Sequence, residues 1–143
     1  MNNEAIRAVI DTNIWISFLI GKTLQGLNQA IIDNRVVILF SEDLFVELMD
    51  VLYRPKFKKY FSETAIQNLV ALLNKKVELV KINFHFDSCR DKKDNFLLDL
   101  AVSGNANYLV TGDSDLLALN PFQTVKIVSY QHFQTAILAM IDN

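Results

Sequence analysis

The chain has 143 residues, 51% hydrophobic and 10% aromatic, which is enough apolar material for a single domain over residues 1–143 with a well-buried core. Its formal net charge of −2 gives no general field to attract nucleic acid and counts against a simple nucleic-acid-binding module. The lone cysteine, Cys89, excludes an intramolecular disulfide and no Cys/His grouping has zinc spacing, so a reducing, cytoplasmic setting is expected. No stretch approaches the roughly 18 uninterrupted apolar residues of a membrane span, and the start lacks the basic and apolar regions of a secretory signal.

In chain order, Ile6 to Ile10 is a short apolar, partly β-branched run that stops at Asp11-Thr12-Asn13, as a buried strand ending in a turn does. Leu24 to Asn34 reads as a helix, followed by Val36 to Phe40, a strand apolar on both faces as parallel sheets require. Ser41 is placed to cap a helix from Glu42 to Tyr53, ended by Arg54-Pro55, and Ser62 to cap one from Glu63 to about Lys76. Val77 to Ile82 alternates as a strand. Asp91 to Ser103 has helical spacing and stops at Gly104. Tyr108 to Thr111 and Val125 to Val128 are two more strands, and a last helix begins at Ser129 and carries Phe133, Ile137, Leu138 and Ile141. Strands alternating with helices imply an α/β fold, a three-layer α/β/α sandwich around a parallel sheet of about five strands.

Ligands of such sheets bind outside the carboxyl ends of the strands, where strand order reverses. Asp11 and Asp113 each directly follow an apolar strand, and so fall at that edge, although Asp11-Thr12-Asn13 alone also reads as a helix cap. At about 100° per residue, Asp94 lies in the middle of the apolar stripe formed by Leu97, Leu98, Ala101 and Val102. A carboxylate there must be paired, hydrogen-bonded, protonated or bound to a cation, unless it faces solvent at the helix N-terminus. Glu47 lies roughly 40° outside the apolar arc of its helix, bordering the core, while Asp43 and Asp50 point to solvent. Asp99 is roughly 140° from Asp94 and is at most an accessory acid.

Carboxylates gathered in one cleft repel one another unless a divalent cation neutralises them. Oxygen donors without imidazole or thiolate favour Mg²⁺ or Mn²⁺ over zinc, and such ions can clamp a phosphodiester and activate a water. Basic residues cluster at Arg54, Lys56, Lys58 and Lys59 and again at Arg90, Lys92 and Lys93; either group is also ordinary solvated surface. Trp15 reads as core packing, and His85 and His132 lack the neighbours of a general base.

With these residues in view, the chain resembles the PIN-domain family, in particular its bacterial toxin-component (VapC-like) branch. The likeness runs through Val9-Ile10-Asp11-Thr12-Asn13, Ser41 with Glu42 and Glu47, Asp91-x-x-Asp94 leading into Leu98-Asp99-Leu100-Ala101, and Tyr108 to Leu117. It implies an Mg²⁺- or Mn²⁺-dependent nuclease acting on RNA, with Asp11, Glu47, Asp94 and Asp113 as metal-binding acids and Asp115 as an additional one. Asn13 and Thr111 match polar residues near the site. This branch often has glutamate where Asp99 stands. The resemblance further implies a small antitoxin partner and a homodimer. Arg54 and Lys56 of the first basic cluster are the substrate-binding candidates if that patch tracks phosphates. Competing readings are an inactive PIN-like scaffold, a flap-type DNA nuclease, and a phospho-acceptor domain; the last wants a lysine after a late strand, where none stands.

Overall fold

A computed structural model describes residues 5–21 and 25–141. Five strands, β1 (Ile6–Ile10), β2 (Val36–Phe40), β3 (Val77–Leu79), β4 (Tyr108–Val110) and β5 (Lys126–Val128), pair in the order β3-β2-β1-β4-β5. Every pairing is parallel. The helices between them are α1 (Thr12–Gly21), α2 (Gln25–Ile32), α3 (Glu42–Leu52), α4 (Glu63–Lys76), α5 (Lys92–Ser103), α6 (Ser114–Leu117) and α7 (Tyr130–Ile141). Helix α5 packs across β1, β2 and β4 and against α3, whereas α2 packs on β2 and α7, and α7 on β4. The result is the expected α/β/α sandwich with five strands.

The strands are short and the central ones are buried on both faces: Ala8, Val9, Ile38, Leu39 and Leu109 expose nothing. That burial explains their unbroken apolar runs, since helices cover both faces of a parallel sheet. From β1 the chain steps outward to β2 and β3, then crosses to place β4 on the other side of β1. The reversal of strand order therefore lies between β1 and β4, where ligand crevices form.

Ser41 and Ser62 cap α3 and α4 as expected, accepting from the backbone N–H groups of Leu44 at 3.2 Å and Ala65 at 3.1 Å. Gly104 ends α5 where a Cβ would come within 2.8 Å of Leu39 Cδ1. Three expectations need correction. The helix read as Leu24 to Asn34 is described from Gln25 and ends at Ile32; Leu24 lies outside the described residues, and Asn34 takes a left-handed φ of 60° that no helix continues through. Leu138, on the last helix, is exposed rather than core-facing, and the side chain of Ile141 lies outside the described residues.

The strand read as Val77 to Ile82 stops at Leu79. After Val80 donates its N–H to Phe40 O at 2.8 Å, the chain leaves the sheet and runs along α5. Its amides find partners there in side chains: Ser103 Oγ accepts from Asn83 and Phe84, Asp99 Oδ1 from Phe86 at 2.7 Å, and Asn95 Oδ1 from Cys89 at 2.9 Å. Asn95, Asp99 and Ser103 stand four residues apart on one helix face, a polar stripe that replaces the missing sheet partners.

A carboxylate cleft at the strand switch point

Asp11 follows β1 and donates its N–H to Val110 O at 2.9 Å, which keeps the ends of β1 and β4 together past the last strand pair. Thr111, wholly buried, uses one hydroxyl for two bonds: it donates to Asp11 Oδ2 at 2.8 Å and accepts from the Asp113 N–H at 3.0 Å. Asp113 caps the short helix α6 by accepting from the Asp115 N–H at 2.8 Å. Two acids from strand ends a hundred residues apart in sequence are thus tied through a single side chain.

Helices bring the other two acids. Glu47, half-buried on α3, accepts from Thr12 Oγ1 at 3.1 Å and lies 3.7 Å from Lys93 Nζ. Asp94, in the first turn of α5, is 8% exposed, as its place in an apolar stripe requires. Asp11, Glu47, Asp94 and Asp113 line one cleft of about 260 Å³ together with Asn13, Asp91, Lys93, Arg54 and Lys56. Larger hollows of about 400 and 630 Å³ carry at most one acid each among the described residues.

The electrostatics follow from the crowding. Asp94 is pushed up to about 6, first by burial and then by repulsion from Asp113, Asp91 and Asp11. Burial also raises Asp11; the hydrogen bonds from Thr111 and the Asn13 backbone oppose the rise, and Glu47 and Asp113 add to it. Among the described residues no three His, Cys, Asp or Glu side chains close on one point tightly enough to ligate an ion as they stand. The acids form the walls of a cleft instead of a finished cage. Their chemistry still fits a hard divalent cation, because all donors are carboxylate oxygens and positive charge would offset both burial and repulsion.

Two expected acids stand apart. Asp115 is exposed and pairs with Arg90 at 3.2 Å. Asp99 is 5% exposed on the polar stripe of α5, where it accepts from Phe86 and lies 3.5 Å from His85 Nδ1. Replacing Asp99 by Ala leaves the Phe86 amide without its partner, and thermal unfolding is expected to report a loss of about 1–3 kcal/mol; an unchanged melting temperature would contradict that role. Trp15 is buried against Phe18 and Phe40. Thr12, Asp91 and Lys93 line the cleft without having been singled out as site residues. Thr12 and Lys93 each adjoin a predicted acid in sequence, and Asp91 lies one helical turn before Asp94.

Comparison with known proteins bears on this arrangement. The PIN domain family matches residues 7–115, a span that includes every acid of the cleft. The chain is 31% identical over 124 residues to the uncharacterized protein MJ1680 of Methanocaldococcus jannaschii, covering 83% of this chain and 78% of that one. Its fold is similar to the crystal structure of PAE2754 from Pyrobaculum aerophilum, with a TM-score of 0.64 at 13% identity over 95% of this chain and 93% of that one. At that identity the likeness is one of fold alone. PIN domains are generally nucleases that use divalent metals. On the family match and the archaeal relative together, this chain belongs to the PIN domain family.

Proposed function

We propose that the chain is an endoribonuclease that hydrolyses RNA phosphodiester bonds with Mg²⁺ or Mn²⁺, acting as the toxin of a toxin–antitoxin pair. The observation that carries the catalytic part is the convergence of Asp11, Glu47, Asp94 and Asp113, from four separate elements, on one cleft at the β1/β4 switch point. These four acids would hold the metal, and Asp115 is a supporting acid once freed from Arg90. A divalent ion there supplies charge neutralisation of the phosphodiester and activation of a water. RNA as substrate, the small antitoxin and the homodimer rest on the likeness to bacterial toxin components; exposed Val46 on α3 and Phe96 on α5 suit an apolar contact between copies.

The chain's own residues do the positioning. Thr111 orients the Asp11 carboxylate while restraining Asp113, so these two acids keep their separation. Thr12 orients Glu47 in the same way. Asn13 offers an amide at the cleft wall. Arg54, Lys56 and Lys93 bring positive charge to the same cleft, which lets an acidic chain engage phosphates locally despite its net charge.

The decisive experiment compares RNA and DNA substrates with Mg²⁺, Mn²⁺ or EDTA. RNA cleavage in either metal and none in EDTA is expected; no cleavage of RNA under any condition would end the proposal, and cleavage of DNA alone would replace it with a DNA nuclease. Changing Arg54 and Lys56 to Ala is expected to weaken RNA binding by up to about fivefold per lost phosphate contact near 0.1 M salt, and to flatten the salt dependence. Both side chains are exposed, so the fold tolerates the change. An unaltered salt slope would remove them from the substrate path.

A further inference from the structure

A second hollow, of about 400 Å³, opens beside the carboxylate cleft where the end of α3, the 3₁₀ turn Pro55–Phe57 and the start of α4 meet. Arg54 and Phe57 line both, so the two are adjacent. The hollow has the size of a small-ligand site. Its walls combine three chemistries. Tyr53 is an aromatic ring left 51% exposed, and Phe57 and Phe61 stack at 5.6 Å to give an apolar floor. Arg54 and Lys58 supply cations, and Lys58 makes no ion pair among the described residues. Glu63 supplies an acceptor.

Exposed aromatic faces flanked by cations are what unpaired bases and their phosphates bind. A carboxylate accepts from the exocyclic amino group of a base. We propose that this hollow is a nucleobase subsite, holding one unpaired base of an RNA strand whose neighbouring phosphate lies in the carboxylate cleft. The inference rests on the ribonuclease reading for its substrate. Only an unpaired base suits such a subsite, because bases stacked in a duplex are not free to enter. The adjacency to the acid cleft and the flanking cations favour a nucleic acid strand over a peptide as occupant.

The test measures fluorescence anisotropy of a labelled single-stranded RNA oligonucleotide, in an Asp94→Asn background that keeps the strand intact. Tyr53→Ala is expected to weaken binding about tenfold, and Lys58→Ala to lower the salt slope by about 0.7. Both residues are exposed, so circular dichroism is expected to match the parent. Removing the base at one position of the oligonucleotide is expected to weaken binding to the parent, but not to Tyr53→Ala. With the native acids restored, Tyr53→Ala is expected to raise KM and leave kcat unchanged.

If both variants bind like the parent, or the matching duplex binds as tightly as the single strand, the subsite is refuted; a cavity serving a peptide partner gives this outcome. Binding that follows the expected pattern without cleavage in Mg²⁺ or Mn²⁺ upholds the subsite and removes the nuclease reading. Cleavage indifferent to Tyr53 does the reverse.

Discussion

Asp94→Asn is expected to melt higher than the parent in EDTA at neutral pH while losing at least about a hundredfold in cleavage rate. The loss follows because altering even the residues that support metal ligands costs 10–100-fold, and Asp94 is proposed as a ligand itself. The gain in stability follows from the raised carboxyl. In the folded protein Asp94 titrates at about 6 against an ordinary 3.8, so the native state keeps a proton that the unfolded chain releases earlier. The stabilising effect of that proton is complete below about pH 4 and is lost as pH rises through about 6. At pH 7 to 8 the folded protein therefore carries a penalty of roughly 3 kcal/mol at this one residue. An amide of the same shape removes most of it, and calorimetry is expected to show a rise of about 5–10 °C. Added Mn²⁺ is expected to stabilise the parent by about 2.7 kcal/mol at a hundred times its Kd, and the variant far less. A variant that melts like the parent and remains fully active would overturn the assignment of Asp94.

Divalent-metal affinity is expected to fall about tenfold per pH unit below about 6, because the ion must displace the proton on Asp94. Asp11, raised in the same sense by burial, adds to the proton released. Titration calorimetry at pH 5, 6, 7 and 8 in two buffers of different ionisation enthalpy measures both the affinity and the proton count. Above pH 7 the affinity is expected to level off. In Asp94→Asn the remaining pH dependence is expected to be shallower. Constant affinity from pH 8 to 5 would mean that these acids do not hold the ion.

Much of this site was legible because it depends on local rules. An acid placed just past the end of a strand falls at the sheet edge, and Asp11 after β1 and Asp113 three residues past β4 are found there. Helical angles placed Asp94 in its stripe and Glu47 at the core border, and α3 and α4 begin at the serines that cap them. What escaped depends on contacts between elements. Helix α1 is apolar over most of its surface, with Asn13 and Ser17 its exposed polar residues, so Thr12 to Gly21 has too weak a period to bound it. Neither the angle of Asp99 from Asp94 nor the glutamate of the related branch tells what surrounds it. Its burial comes from residues 83–89 folding over the far side of α5, which no period within α5 reveals. The Lys93 to Glu47 contact likewise exists only because α3 and α5 meet at the cleft. Arg90 reads in sequence as part of a basic cluster, whereas its partner Asp115 lies 25 residues away.

The Thr111 bridge joins Asp11 to Asp113 although Thr111 and Asp11 stand 100 residues apart in sequence. During synthesis the first acid leaves the ribosome long before its counterpart exists, and β1 must wait for β4 to arrive beside it. Pairings so distant in sequence form late and slowly. A ribosome-bound nascent chain that has not yet released β4 thus has no assembled cleft, and RNA around it is safe until β4 has emerged and paired with β1. A truncated product ending before residue 108 is expected to be inert for the same reason.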